Sequence, residues 1–414
     1  MKTDVCKVFL KVKYMKKKLL LINCVLLFGT ILIGQPMADF LFQLPYKLPK
    51  EIDKKQEGVE EYIAKDNQMI DYSFIGEYQK ALELAEDSTD MQPPLTKKDS
   101  LYCSNFQAED AINVILSKCK NENIVIINEA HHNPRHRVFT AQLLKELYQQ
   151  GFRYLGLETL TLTERHDSIL NARKFPTFQS GYYIPEPQFG NLVREALKIG
   201  YVLFSYEYSS GGGATREIEQ AKNIIAFLEK HPNGKTLIHC GYGHIVEADS
   251  LKDWGKAMAG RLKEYSGINP LTINQTDLTE HSKSAFENSF YKLFYADKSS
   301  VFISPNGDIF NGPEGRNYVD ISVYHPRTKY VNGRPDWLIN NEKKWVNITV
   351  KKGVDFPCLA LAYKSEEPEF AVPCDVVLLN SKQQNTSFAL QKGRYRVVFV
   401  DKNGKERHST LIVE

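Results

Sequence analysis

The chain has 414 residues, 42% of them hydrophobic and 25% charged, which is enough to bury a sizeable core and to form more than one domain. The formal net charge is only +3, and Lys and Arg are spread along the chain among Asp and Glu. No continuous basic face is indicated, so the composition argues against a nucleic acid as partner.

The N-terminal segment has the order of a secretory signal peptide. Three lysines at 16–18 precede an apolar stretch at 19–34, small or polar residues follow at 35–39, and Met15 is a second candidate start. A membrane anchor is the alternative, but this stretch is shorter than the roughly 20 residues that cross a bilayer. We therefore expect residues 1–38 to be a signal peptide and the protein to be exported, with membrane attachment only through an uncleaved signal.

After a polar lead-in at 39–105, which is expected to be helical or partly ordered, strands and helices alternate. The periodicity predicts strands at 123–128, 153–157, 201–205, 236–239 and 271–276, and helices from Pro134 to the region of Gly151 and at 191–199, 215–230 and 251–265. Strands that are separated by single helices indicate a mainly parallel sheet with right-handed crossovers. The predicted fold of residues 106–336 is therefore an α/β domain with a mainly parallel sheet flanked by helices.

From about residue 337 the chain has short strand-like runs, and a good hairpin turn lies at 401–404. This pattern predicts a C-terminal all-β, sandwich-like domain at 337–414, with a structural or adhesive role. Cys358 and Cys374 lie in this region and are the first choice for a disulfide, whereas two buried free thiols are an equal alternative.

Ionisable residues recur where the predicted strands end: Glu129 and His131, then Glu158, then Glu207, then His244. In an open α/β sheet the carboxyl ends of the strands border the ligand crevice, so these side chains are expected to converge. Two carboxylates and two imidazoles fit either a hydrolytic metal site or a metal-free general base that activates water. Each Glu alone also fits a helix cap or a salt bridge.

The metal interpretation takes Glu129, His131 and His244 as ligands of Mn²⁺, Co²⁺ or Zn²⁺. His132 and His136 have the spacing of paired ligands, but Pro134 puts the helix start between them, so they should not share a face. Residue 136 is then expected beside the site or at the surface.

The segment between Glu158 and Asn191 is a long insertion at the same edge. It is interpreted either as a lid whose Tyr182 and Tyr183 line a pocket, or as a loop packed by its own side chains. Arg216 follows three glycines and can clamp a carboxylate or a developing oxyanion, or simply pair with Glu207. Neither a nucleotide-binding Gly-Lys-Ser/Thr ending nor a Gly-x-Ser-x-Gly elbow occurs.

The stretch Asn128-Glu129-Ala130-His131, followed by a helix and then by Leu157-Glu158, resembles the Gly-Glu-x-His motif and downstream Glu of the erythromycin esterase-like, Tiki and ChaN-like (haem-binding uptake) superfamily. Arg216-Glu217 and Gly241-Tyr242-Gly243-His244 are similar to its later motifs, and the resemblance covers roughly residues 106–324. Asn128 stands where these families have Gly, which puts the close backbone approach at that position in doubt.

The resemblance implies an α/β fold with one site that serves ester hydrolysis with a His general base, metal-dependent peptide cleavage, or binding of haem iron. The esterase branch spaces its Glu and His one residue further apart, so the choice between His131 and His132 stays open. We therefore predict an exported hydrolase that acts on a small-molecule or peptide substrate.

The predicted catalytic residues are Glu129, His131, Glu158, Arg216 and His244. The predicted substrate-binding residues are His132, Glu207, Tyr208, Tyr182 and Tyr183. The alternative is a haem or iron uptake protein in which Tyr206, Tyr208 or the lid tyrosines bind the iron.

Overall fold

The computed structural model of the protein describes residues 45–86, 92–162, 165–208, 210–249, 254–312, 318–340 and 342–414. The predicted signal peptide lies outside the described residues. The helices are Pro49–Ile52, Glu61–Phe74, Tyr78–Ala85, Lys97–Cys103, Ala111–Cys119, Arg135–Gln149, Leu170–Arg173, Pro187–Ile199, Gly213–Lys230 and Met258–Ser266. In this part of the chain, none of them is long and apolar enough to cross a bilayer.

The strands, in chain order, are β1 (Gln107–Asp110), β2 (Ile124–Glu129), β3 (Phe152–Leu157), β4 (Thr161–Leu162), β5 (Arg165–His166), β6 (Val202–Phe204), β7 (Lys235–Gly241), β8 (Leu271–Asn274), β9 (Ser300–Ile303), β10 (Ile321–Ser322), β11 (Tyr330–Val331), β12 (Arg334–Pro335), β13 (Lys344–Asn347), β14 (Cys358–Lys364), β15 (Asp375–Leu379), β16 (Ser387–Leu390), β17 (Gly393–Asp401) and β18 (Glu406–Val413).

Six of these strands form the central sheet, in the order β10-β8-β2-β7-β3-β6, and all neighbours are parallel. The prediction of a mainly parallel sheet flanked by helices is therefore confirmed. Strand β10 was not predicted, because two residues are too few to show a periodic pattern.

Helices cover both faces of the sheet, which is why its central strands are apolar along their whole length. Val125 and Ile127 of β2 point into the core formed with the helices Arg135–Gln149 and Pro187–Ile199. Ile124 and Ile126 point to the other side, against the helices Gly213–Lys230 and Met258–Ser266. This double cover leaves the carboxyl ends of the strands as the edge where side chains can meet a ligand.

The helix after β2 begins at Arg135, one residue later than predicted. Pro134 is its cap residue, and the Asn133 side chain accepts the Arg135 N–H at 3.3 Å. The helix start therefore separates His132 from His136, as the sequence indicated. His136 is fully buried, however, and its Nδ1 accepts the Ala130 N–H at 3.0 Å, so it is not a surface residue.

The C-terminal region is antiparallel and strand-rich, as predicted. Strands β15-β14-β17-β18 form one sheet, β13 pairs with β16, and the two sheets share an apolar core. The hairpin at 401–404 closes with Gly404 at φ 73° and its N–H on the Asp401 carbonyl at 2.9 Å. Residues 45–414 form a single compact unit, so the boundaries at 106 and 337 stay predictions.

The predicted Cys358–Cys374 disulfide is wrong, and the alternative of two buried thiols holds. The Cys374 N–H bonds to the carbonyl of Ala362, which is four residues along β14 from Cys358. At roughly 3.3 Å per residue that separation is about 13 Å. A disulfide needs Cα atoms about 4 to 7 Å apart.

Candidate functional site

The predicted strand-end residues meet at one edge of the sheet because β2, β7 and β3 are adjacent. Glu129 ends β2 and pairs in register with Gly241, the last residue of β7. Leu157, which ends β3, pairs with His239 of β7, so Glu158 follows beside Cys240 and its side chain reaches the Gly241 N–H. Three parallel strands thus place Glu129, Glu158 and the turn that carries His244 around one spot.

Glu129 is buried and has hydrogen bonds to both of its oxygens. Arg137 donates from Nε to Oε2 at 2.6 Å and from Nη2 to Oε1 at 2.8 Å. His239 donates from Nε2 to Oε2 at 2.9 Å, and His131 donates from Nδ1 to Oε1 at 3.0 Å. Burial alone would raise the pKa of Glu129, but the Arg137 charge outweighs it and holds that pKa well below its usual range.

His131 uses only one of its two ring nitrogens in a hydrogen bond among the described residues. Its Nδ1 proton is committed to Glu129, and among the described residues Nε2 has no hydrogen-bond partner. The ring stacks on Tyr183 at 4.1 Å between centroids and packs against the backbone of Gly241. A Cβ at Gly241 would lie 2.5 Å from Nε2 and 3.3 Å from Oε2 of Glu158, so only glycine fits beside this imidazole.

His132 turns away from Glu129, and its Nδ1 lies 3.1 Å from the Tyr242 hydroxyl. Burial and the neighbouring histidines lower the pKa of His132 to about 3, so this ring is neutral. The sequence left open whether His131 or His132 belongs to the site. In the structure His131, and not His132, contacts the carboxylate at the end of β2.

Asn128 has a clear role despite standing where the resembling families have glycine. Its buried Nδ2 donates to the Tyr242 carbonyl at 2.9 Å, and its Oδ1 accepts the Gln275 N–H at 2.7 Å. Tyr242 has a φ of 37°, in the left-handed region that non-glycine residues seldom adopt. The Asn128 side chain therefore fixes the turn that leads to His244.

Glu158 is held by a backbone N–H and an arginine. The Gly241 N–H donates to Oε2 at 2.5 Å, and Nη2 of Arg216 donates to Oε1 at 2.6 Å. Burial opposes ionisation, but His244, His131 and Arg216 outweigh it and lower the pKa of Glu158 to about 2. This carboxylate is therefore ionised at neutral pH.

Arg216 connects Glu158 with Glu207 and His244. Besides Glu158 it binds Glu207, with Nε 2.9 Å from Oε1 and Nη2 on Oε2. Its Nη1 donates to Nε2 of His244 at 2.8 Å. The Arg216 side chain as a whole is 27% exposed. Both sequence interpretations, pairing with Glu207 and availability to an anion, are compatible with this geometry.

His244 is buried and has partners on both ring nitrogens. Nδ1 donates to Glu217 at 2.8 Å, which leaves the Nε2 lone pair for Arg216, and the ring stacks on Trp254 at 5.1 Å. Burial lowers its pKa, but Glu158 and Glu217 outweigh that effect and raise it. The contact with Arg216 needs the neutral ring, so protonation of His244 would release Arg216.

The structure brings all five predicted catalytic residues together, with Glu158 and Arg216 as the link between Glu129 and His244. Among the predicted substrate-binding residues, Tyr183 stacks on His131, Tyr182 is 51% exposed at the crevice, and Glu207 is used by Arg216. Tyr208 is partly exposed beside Glu207. Their substrate-binding roles stay predictions.

Four residues of this cluster were missed: Arg137, Glu186, His239 and Glu217. Arg137 is fully buried and bridges Glu129 and Glu186, with Nη1 3.1 Å from Oε2 of Glu186. His239 had a visible signal, since a histidine near the end of a buried apolar strand needs a polar partner. Glu217 stood in the motif Arg216-Glu217, but its contact with His244 was not predicted. Arg137 had no signal, because it lies inside a helix and meets Glu129 only in the folded chain.

The donor set does not fit the predicted metal. Both oxygens of Glu129 are engaged by Arg137, both nitrogens of His244 have partners, and within the described ranges no group of three His, Cys, Asp or Glu side chains is placed to hold a metal ion. Tyr206, named as an iron ligand in the haem alternative, is buried and donates its hydroxyl to the His239 carbonyl at 3.0 Å. Haem binding otherwise stays a prediction.

No protein-family model matches the chain, and no curated protein matches it. It is similar in structure to "The structure of the type III effector HopBA1", with a TM-score of 0.33, 10% identity, and coverage of 54% of this chain and 98% of that one. A structure titled "Bacterial protein toxins" gives a TM-score of 0.31 at 13% identity and covers 52% and 45% of the two chains.

A third similar structure is "Crystal Structure of RRSP, a MARTX Toxin Effector Domain from Vibrio vulnificus CMCP6", with a TM-score of 0.30 and 13% identity. The match covers 51% of this chain and 45% of that one. This chain therefore spans less than half the length of the last two structures.

Proposed function

We propose that this protein is an exported hydrolase in which His131, backed by Glu129, activates water for attack on an ester or a related carbonyl substrate. The observation that carries the proposal is the Nδ1 contact of His131 with Glu129 at 3.0 Å, which leaves Nε2 without a hydrogen-bond partner among the described residues. A base oriented by a carboxylate on one nitrogen and free on the other is the arrangement that general-base catalysis requires.

In this proposal His131 accepts a proton from water at Nε2, while its Nδ1 proton stays on the ring and hydrogen-bonded to Glu129. The imidazolium then returns the Nε2 proton to the leaving alkoxide as the tetrahedral intermediate collapses. The imidazolium that forms lies between two carboxylates, Glu129 and Glu158, that are already ionised and held in place by arginines. Their charges stabilise the imidazolium without any reorientation during the reaction. Glu158 is too acidic to act as a proton donor, so its role is electrostatic.

Arg216 is the group proposed to bind the developing oxyanion. Nη1 of Arg216 carries two N–H groups, and one of them is used on His244. The other N–H can donate to a substrate oxygen, because the Arg216 side chain is 27% exposed. His244 and Glu207 orient Arg216 from two sides. Hydrogen bonds from a fixed arginine to a growing negative charge are worth more in such a crevice than in water.

The superfamily resemblance supports the same choice of residues, since Glu129, His131, Glu158, Arg216 and His244 all fall on its motifs. Of the chemistries that it implies, we favour metal-free ester hydrolysis, because the carboxylates are neutralised by Arg137 and Arg216 and not left for a cation. No step of the proposed reaction passes through a metal.

The test is an assay of the purified protein on aryl esters and peptides, with and without Mn²⁺, Co²⁺ or Zn²⁺. His131→Ala should lower kcat by about 10²- to 10⁴-fold, the usual range for loss of a general base. His132→Ala is the matched control and should retain most of the activity, because that ring contacts Tyr242 and not Glu129. Activity that survives both His131→Ala and His244→Ala would refute the assignment.

A further inference from the structure

A cavity of about 350 Å³ lies away from the strand-end site, between the helix Pro187–Ile199 and the C-terminal strands. The helix contributes Leu192 and Arg194 to its wall, and the C-terminal region contributes Leu390 and Tyr395. The volume is in the range of small-molecule sites, which are typically about 300 to 1,000 Å³. Leu192, Leu390 and Tyr395 are each at most 1% exposed, so a ligand would meet chiefly the charged side chains of this wall.

The charged side chains of this wall are mostly positive. It has five lysines and one arginine against three glutamates, and Arg194 is already paired with Glu367. That pairing leaves five lysines facing two glutamates. Such an excess of positive charge around a concave surface favours an anion inside it.

Lys343 is the most informative of these lysines because it is partly buried and has no counter-ion. Its ammonium group donates to Oε1 of Gln188 at 2.7 Å, and in the described part of the chain no carboxylate lies within 4 Å of it. The carboxylates that influence it from further away, Asp375 and Glu186, are committed to Arg334 and Arg137. A partly buried ammonium group with spare N–H donors and no counter-ion is available to an anionic partner.

A second ammonium group stands on the same wall. Lys364, at the end of β14, lies over the Tyr395 ring with its nitrogen 4.7 Å from the centroid, and it too has no carboxylate within 4 Å among the described residues. Lys343 and Lys364 therefore line the same cavity without ion pairs among the described residues, and both are available to the charged group of a ligand.

We propose that this cavity binds a small organic anion, with a carboxylate or phosphate-type group on Lys343 and Lys364. The ligand would contact the α/β part and the C-terminal strands at once. This site is separate from the proposed hydrolytic centre and does not depend on it.

Isothermal titration of the full chain with benzoate, phenylphosphonate and benzamide tests the proposal. Benzoate and benzamide have nearly the same shape but differ in charge. Benzoate or phenylphosphonate should bind and benzamide should not, and the stronger of the two anions identifies the preferred head group. No heat from either anion at about 10 mM, far above the roughly millimolar Kd expected of such a fragment, would overturn the proposal.

Lys343→Met should weaken binding of the anion at least about tenfold, the loss expected for one charge-assisted hydrogen bond, whereas Lys343→Arg should preserve it. Lys364→Met gives the same test if Lys343→Met does not fold. Lys382→Met, at an exposed lysine outside the cavity, is the control. Equal binding by the wild type and by Lys343→Met, or by benzoate and benzamide, would contradict the assignment.

Discussion

Replacing Arg137 by methionine is expected to destabilise the fold strongly, because it leaves the buried carboxylates of Glu129 and Glu186 without their cationic partner. The guanidinium is fully buried and contacts Glu129 twice, Glu186 once and the His131 carbonyl once. Removing one partner from a buried ion pair typically costs about 3 to 5 kcal/mol. Glu129 keeps two histidine donors and Glu186 keeps two backbone N–H groups, so we expect a value in that range and not twice it.

The effect of Arg137→Met should depend on pH in a direction that the ion pair fixes. In the wild type the folded-state pKa of Glu129 is below its unfolded value, so its contribution to stability is present above about pH 4 and is lost as the pH falls. In the variant, burial without Arg137 raises that pKa, so folding is penalised more as the pH rises. The stability difference between the two proteins should therefore be larger at pH 7 than at pH 5.

Urea unfolding at both pH values measures this difference. Arg153→Met is the matched control, because Arg153 lies over the Tyr148 ring and contacts backbone carbonyls without pairing with a carboxylate within the described ranges. The reasoning fails if Arg137→Met costs no more than Arg153→Met. It also fails if the cost of Arg137→Met is the same at pH 5 and pH 7.

The close packing beside His131 gives a second prediction. Gly241→Ala should abolish most of the activity, because a Cβ at that position would lie 2.5 Å from the imidazole. Gly243→Ala should be tolerated, because its Cβ would lie 3.4 Å from Trp254. Ester hydrolysis by two folded variants checks this, and equal activities would contradict it. A third prediction concerns Glu158, whose pKa of about 2 in the folded state lies below its value in the unfolded chain. Glu158→Gln should cost roughly 3 kcal/mol at pH 7 and progressively less as the pH falls below about 4; a constant cost in urea titrations would refute the ionised state.

The sheet could be predicted from the sequence because its signals are local. The run Ile124–Ile127 is apolar at every position, and the helix that follows is announced by Asn133 and Pro134 and ends before Gly151. The sixth strand could not be found in this way, since β10 forms only when Val323 and its neighbours reach β8. The predicted Cys358–Cys374 disulfide was wrong for a related reason, because closeness in sequence does not fix the distance between two residues in the folded chain.

For the candidate site, the strand ends predicted which residues meet but not how their charges are balanced. Two carboxylates as close as Glu129 and Glu158 repel each other unless a proton or a positive charge offsets them. The folded chain gives each of them its own arginine: Arg137 comes from the helix that follows β2, and Arg216 from near the start of the helix that follows β6, the neighbour of β3 in the sheet. Such pairing depends on helix packing, which single-sequence patterns do not encode.

The way in which these charges are balanced also indicates which group can change its protonation during a reaction. Glu129 and Glu158 have donors on both oxygens, and His244 has partners on both nitrogens. His131 alone among the predicted catalytic acids and bases keeps an atom, Nε2, without a partner in the described part of the chain. A cluster that served stability alone would gain by satisfying that nitrogen, whereas a general base must leave it open to water.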